Sequence, residues 1–115
     1  MILNFACKPI NTSEIIQCSY GLGKGEYKIF EFLLKQKEPR SIKEISETLK
    51  KERTTVQKAI TKLVEKDIVK RRQMNLSSGG YVFIYFIKDK EKIKQEIKNI
   101  MKQWCENAMR AIDML

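Results

Sequence analysis

The sequence contains no histidine, and its 115 residues include only two prolines and three cysteines. Without histidine, Ser-His-Asp and Cys-His catalysis, imidazole-ligated zinc and histidine-based proton transfer are excluded. The odd number of cysteines, at positions 7, 18 and 105, matches no zinc or iron–sulfur spacing, so we expect intracellular thiols. No apolar run approaches the roughly 18 to 20 residues of a membrane span, which predicts a cytoplasmic protein without a membrane partner.

Other catalytic groups are also missing. The sequence shows no plausible pair of catalytic carboxylates, no cluster of metal ligands and no nucleophile beside a base. We therefore expect a protein that is not an enzyme and uses no cofactor or metal. The cysteines are interpreted either as buried fillers or as redox sensors, and Cys7 is the first choice for a reactive thiol because its N-terminal segment is predicted to be mobile.

Positive charge is concentrated in the middle of the chain. The protein has 23 Lys and Arg against 14 Asp and Glu, a formal net charge of +9. Residues 40–87 contain eleven basic residues against five acidic ones, whereas the flanking segments are nearly balanced. Such a local excess is expected where one face of a protein meets a polyanion.

Hydrophobic spacing and capping residues predict the helices. A first helix follows the N-cap Asn11 and ends near Tyr20, and the others are predicted over 26–37, 41–50, 53–66 and 88–115. Ser41 and Glu44 have the spacing of a capping box. Asp67 tolerates the left-handed conformation that often follows a helix.

After Asp67 the hydrophobic period changes from 3.6 to 2. This predicts strands over 68–75 and 81–87, joined by a hairpin loop over 76–80. One set of alternating residues, Val82, Ile84 and Phe86, can face the helices, and the other set, Tyr81, Phe83 and Tyr85, is left half exposed or meets a neighbour. On the first strand, Lys70 and Arg72 share one side and Arg71 takes the other. The fold class is mainly α with a two-stranded β-hairpin, in the order of a winged helix-turn-helix.

The segment SIKEISETL (41–49) followed by RTTVQKAITKLVEKDIVKR (53–71) resembles the winged-helix core of the TrmB-like and MarR-like transcriptional regulators of archaea and bacteria. The resemblance covers residues 26–87 and implies a recognition helix from Arg53, a wing tip at Ser77–Gly80 and terminal helices that form a dimer interface. The chain departs from the pattern at Glu52, a poor helix cap that favours a helix start one residue later. Its wing tip also lacks the usual arginine.

This interpretation divides the chain into an N-terminal segment and short helix (1–25), a winged helix-turn-helix DNA-binding domain (26–87) and a C-terminal dimerisation helix (88–115). The candidate DNA contacts are the polar and basic side chains of the recognition helix, its flanking turns and the wing. They are Ser41, Lys43, Lys51, Arg53, Thr54, Thr55, Gln57, Lys58, Thr61, Lys62, Lys70, Arg72, Ser77 and Ser78.

A long apolar stripe on the C-terminal helix predicts a second copy of the chain as partner. It consists of Ile93, Ile97, Ile100, Met101, Trp104, Ala108, Met109, Ile112 and Leu115. The predicted function is a homodimeric regulator that binds double-stranded DNA sequence-specifically. The alternative is a winged-helix protein-interaction module of a larger transcription or nucleic-acid complex. An effector ligand, the operator sequence and the direction of regulation are left open.

Overall fold

Five helices and two small antiparallel sheets are present in the computed structural model, which describes residues 2–87 and 89–115. In chain order the elements are β1 (Ile2–Phe5), β2 (Lys8–Asn11), α1 (Thr12–Tyr20), α2 (Lys24–Lys35), β3 (Arg40–Ser41), α3 (Ile42–Leu49), α4 (Arg53–Glu65), β4 (Lys70–Asn75), β5 (Tyr81–Phe86) and α5 (Lys90–Asp113). The described residues form two compact units: a terminal unit of residues 2–21 and 89–115, and a central unit of residues 22–87.

The core of the central unit is built around α4. Its apolar residues recur every three or four positions, so they share one side of the helix. Val56, Ile60 and Leu63 are fully buried there, and α2 and α3 both pack against α4. Phe30 of α2 and Ile45 of α3 are also completely buried. The polar residues of α4 are left on the opposite side.

Local capping explains where the helices of the central unit begin. Ser41 Oγ accepts the N–H of Glu44, and the Glu44 carboxylate accepts the N–H of Ser41 at 3.0 Å, as the predicted capping box requires. That backbone hydrogen bond, with a smaller contribution from Arg40, lowers the pKa of Glu44. Glu52 is the N-cap of α4 without a side-chain bond, so the helix starts at Arg53 and the predicted shift by one residue is wrong.

The sheet of the central unit has three strands in the order β3-β5-β4, one more than the sequence predicts. The short β3 pairs Arg40 with Tyr85 and Ser41 with Ile84. This makes β5 the middle strand, in which Tyr85 lies between Arg40 of β3 and Arg71 of β4, and Tyr85 is buried rather than half exposed. The winged helix-turn-helix fold is confirmed. Asp67 has the positive φ, 61°, that is expected after the end of α4.

The N-terminal residues form a hairpin rather than the predicted mobile segment. β1 and β2 pair antiparallel from Ile2 opposite Asn11 to Phe5 opposite Lys8, with Ala6 and Cys7 between them. The hairpin is hard to predict because its turn has no glycine and its side chains lie mostly at the surface. The three cysteines are all free and exposed, so they are not buried fillers of this chain.

In the terminal unit, α1 packs against α5 and against β2. Asn11 caps α1 as predicted, because its side chain accepts the N–H of Glu14. Tyr20 is buried at the end of α1, and burial, with the nearby Glu96 carboxylate, raises the pKa of its hydroxyl to about 12. Among the described residues, no helix combines the length and apolar character that crossing a membrane requires.

Substitution of the core residue Ile60 by alanine is expected to lower the free energy of unfolding by about 2 to 5 kcal/mol, because it removes buried methyl groups and leaves a cavity. The control, Lys58→Ala, lies on the exposed side of the same helix and is expected to change that free energy by no more than about 0.5 kcal/mol. Urea titration followed by circular dichroism measures both values, and equal losses would contradict the assignment of the buried side.

Candidate nucleic-acid interface

The exposed side of α4 carries six of the fourteen predicted contact residues. Arg53, Thr54, Thr55, Gln57, Lys58 and Thr61 are all exposed, and they alternate with the buried positions of the same helix. The Glu52 side chain accepts no hydrogen bond from the N–H groups of the first turn. Because such N–H groups point along the helix axis, they can donate to a phosphate oxygen at this end of α4.

Two side chains on this surface are tied together. The Thr61 hydroxyl donates to the carbonyl of Gln57 at 2.8 Å, and the side-chain amide of Gln57 lies 3.3 Å from the Thr61 oxygen. Thr61 has therefore used its only donor within the helix and can only accept a further hydrogen bond. The pair presents a partly ordered polar surface to a ligand.

Two of the predicted cations take part in ion pairs within the chain. Lys62 Nζ lies 3.4 Å from Glu26 Oε1 on α2, and Lys70 contacts the Asp67 carboxylate. All four side chains remain partly exposed, so these pairs contribute at most about 1 kcal/mol each. A DNA phosphate can compete with the carboxylate for either ammonium group at little cost.

The structure gives Ser41 a role different from the predicted DNA contact. This residue is only 8% exposed, and both its hydroxyl and its N–H bond to Glu44. Serine is equally suited to capping a helix and to contacting a phosphate, so the residue type alone does not separate the two roles. Lys43 is exposed and Lys51 half-buried, and both lie in or beside α3.

The two arginines of the wing stack on aromatic rings. The Arg71 guanidinium lies 4.3 Å from the centre of the Phe83 ring, and that of Arg72 lies 5.5 Å from the Phe86 ring. The strand register puts them on opposite faces, as predicted. Arg71 was left out of the predicted contacts, although both arginines are exposed. Stacking orders these cations without removing their charge.

The wing tip consists of exposed small residues, Ser77–Gly80. Gly79 and Gly80 have φ angles of 97° and 79°, a region where a side chain is strained, so the turn requires glycine at these positions. The Ser77 and Ser78 side chains are exposed at the end of the hairpin, as the predicted contact with the DNA backbone requires.

Most of the predicted stripe on α5 is open to solvent. Trp104 is 69% exposed, and Ile100, Met101, Met109, Ile112 and Leu115 are also exposed, whereas Ile97 and Ala108 are half-buried. Ile93 is the exception, because it is 7% exposed and belongs to the core of its own chain. It is therefore not available to a partner, and the candidate interface begins at Ile97.

The described residues contain no group of three or more His, Cys, Asp or Glu arranged to hold a metal ion. The central unit has three helices followed by a hairpin, a polar exposed side on the last helix and stacked arginines on the hairpin. This combination defines a winged helix-turn-helix protein of the nucleic-acid-binding kind.

Comparison with known proteins identifies the family. Residues 16–91 match the family described as "Sugar-specific transcriptional regulator TrmB", and the chain belongs to it. It is 30% identical to "Uncharacterized protein MJ1503" of Methanocaldococcus jannaschii, a match that covers all of this chain and 86% of that protein. The protein is thus a DNA-binding transcriptional regulator, and the resemblance inferred from its sequence is confirmed. This family is one of regulators rather than enzymes.

Solved structures agree with this assignment. A "Possible transcriptional regulator from Methanosarcina mazei Go1" superimposes with a TM-score of 0.87 at 31% identity, and the match covers 99% of this chain and 96% of that one. A MarR transcriptional regulator of the same organism has a TM-score of 0.56 at 24% identity, over 84% of this chain and 70% of that one, and shows the shared fold.

Substitution of Ser41 by alanine tests its structural role. We expect Ser41→Ala to lower the free energy of unfolding by about 1 kcal/mol through loss of the cap, with unchanged duplex affinity of the folded protein. The matched control, Ser77→Ala at the wing tip, should leave stability unchanged and weaken duplex binding by about threefold. Urea titration and fluorescence anisotropy measure the two quantities, and the reverse pattern would make Ser41 a DNA contact.

Proposed function

We propose that this protein binds specific sequences of double-stranded DNA as a homodimer, with α4 in the major groove and the wing on the adjacent backbone or groove. The observation that carries the proposal is the division of α4 into a fully buried apolar side and an exposed polar side. A helix held by one side on a small body projects the other side far enough to reach base edges.

Residues of the first two turns of α4 are the best placed for base contact. Recognition helices contact bases mainly through their N-terminal residues, which here are Arg53, Thr54, Thr55, Gln57 and Lys58. Arginine suits guanine and glutamine suits adenine, whereas the threonines suit phosphates, thymine methyl groups or several base edges. Helical spacing places the acidic Glu65 near the same side but in the last turn, away from the contacted bases.

The remaining cations are assigned to phosphates. Lys43 and Lys51 lie in or beside α3 and Lys70 and Arg72 lie on β4, so they flank the recognition helix on both sides in the chain, and Lys62 lies in the second half of α4. Contacts of this kind fix the position of a protein on the duplex without reading its sequence. Their number sets how steeply affinity falls with salt.

The homodimer rests on an excess of exposed apolar side chains in the terminal unit. Ten of the thirteen exposed large hydrophobic residues found among the described residues belong to this unit, and seven of them lie on α5 or just beyond it. With 24 residues, α5 is roughly 36 Å long. A patch of this length on a monomer marks an interaction surface, and a second copy offers an equally apolar one.

Binding to DNA is tested by selecting duplexes from a random pool and by reversing one charge on α4. We expect Lys58→Glu to weaken binding to the selected duplex at least tenfold, because it places a negative charge against the phosphates and the base edges. Fluorescence anisotropy at several salt concentrations measures the effect.

The control is Lys28→Glu, which makes the same charge reversal at an exposed position of α2 and should have a much smaller effect. Equal losses in the two variants would indicate general electrostatic attraction rather than contact by α4. Failure of the native chain to bind any duplex at low salt, together with co-purification with a larger complex, would favour the protein-interaction alternative.

Dimer formation is tested on α5. The native 13.5 kDa chain is expected to sediment as a dimer of about 27 kDa, and the double variant Trp104→Ser/Ile112→Ser as a monomer, because two large apolar side chains are removed from the interface. Asn99→Ser, on the polar side of α5, is the control and should remain dimeric. A native chain that sediments as a monomer at every concentration up to about 100 μM would contradict the proposal.

A further inference from the structure

The exposed apolar residues of the central unit are all at one place. Among described residues 22–87, the exposed large hydrophobic side chains are Met74 (44%), Leu76 (42%) and Tyr81 (58%). They surround the loop 76–80 at the end of the wing, while the remaining apolar side chains of this size in the unit are buried or half-buried. Neither the core nor the predicted phosphate contacts of the wing account for them.

These three residues give the end of the wing two apolar sides. Met74 pairs with Val82 in the register and Asn75 with Tyr81, so Met74 and Tyr81 project from opposite faces of the hairpin. Leu76 closes the loop, because its N–H donates to the Gly80 carbonyl at 3.0 Å and its carbonyl accepts the Gly79 N–H at 3.1 Å. The two glycines have no side chains, so the tip is narrow.

A two-sided apolar tip fits a groove better than a flat surface. A protein partner that docks on a sheet covers one face, whereas the walls of a groove contact both. The surrounding charge favours DNA as the occupant, since Arg71 and Arg72 are exposed on β4 and residues 40–87 have six more basic than acidic residues. Residues 73–81 themselves contain no charged side chain, so the tip has no cation for a phosphate.

Apolar side chains are among the groups that proteins insert into the minor groove, where they partly unstack a base step and bend the duplex. The minor groove, about 6 Å wide, must open to admit even a narrow hairpin end, and opening it bends the DNA toward the major groove. We propose that Met74, Leu76 and Tyr81 form an apolar wedge that enters the minor groove beside the site of α4 and bends the DNA. This inference rests on the proposed binding of duplex DNA.

The wedge makes a prediction that phosphate contacts do not. Counterions leave the DNA where cationic side chains neutralise its phosphates, and apolar side chains release none. Loss of apolar contact should therefore weaken binding by the same factor at every salt concentration. Loss of a cation such as Arg72 should instead lower the slope of log affinity against log salt by about 0.9. The two kinds of contact can therefore be separated on the same hairpin.

The experiment compares the native protein with Met74→Ser/Leu76→Ser on a 40-base-pair duplex that carries the selected site and a fluorescent dye at each end. We expect about tenfold weaker binding with an unchanged salt slope, because two large side chains no longer bury their exposed apolar surface against the DNA. We also expect a smaller bend, read as lower energy transfer between the dyes. Leu76→Met should retain both affinity and bend.

Two controls accompany the double variant. Ile2→Ser makes the same kind of change at an exposed residue of the terminal unit and should affect neither quantity, whereas Arg72→Ala should lower the salt slope. Circular dichroism confirms that each variant is folded, which is expected because the substituted side chains lie at the surface.

Three outcomes would overturn the wedge. Native affinity and native bending in Met74→Ser/Leu76→Ser would do so while leaving the proposed DNA binding intact. A double variant with native bending that loses a protein partner would assign the tip to protein docking. A native chain that binds no duplex at low salt would remove the proposed function and the wedge with it.

Discussion

Burial of one side of α4 is the constraint on which the rest of the central unit depends. Val56, Ile60 and Leu63 are fully buried while α2 and α3 pack against the same helix, so α4 can neither rotate nor slide without exposing apolar side chains. The orientation of its polar side is therefore fixed by the core and not by a ligand. A preorganised helix of this kind does not need to become ordered when it binds DNA, and affinity is not reduced by that cost.

The cations around α4 are also ordered by contacts within the chain. Lys62 pairs with Glu26, Lys70 with Asp67, and Arg71 and Arg72 stack on aromatic rings. Each of these contacts is weak enough to exchange for a phosphate, yet it restricts a long side chain before binding. Intramolecular pairing thus lowers the entropy lost on binding and does not conflict with a role in DNA contact.

Features set by neighbouring residues in the chain could be predicted from the sequence. The caps at Asn11 and Ser41, the left-handed residue Asp67 and the two sides of α4 depend only on local spacing, and all are confirmed. Features that depend on distant pairing were missed, including β3 and the burial of Tyr85. The hairpin of β1 and β2 is local, but it was missed because its turn has no glycine and its side chains lie mostly at the surface. Ser41 and Ile93 were assigned to surfaces because their residue types suit both a surface contact and the role they have inside the chain.

The two candidate surfaces of this protein differ in the physical basis of binding. Polar and basic side chains dominate the outer side of α4, where counterion release makes affinity for DNA fall with salt. Apolar side chains dominate the stripe on α5, where burial depends little on salt. In a homodimer both copies of α4 contact DNA, so the number of neutralised phosphates doubles without any new residue. Rising salt would then release the dimer from DNA before it separates the two protomers, and the regulator would leave its operator as an intact dimer.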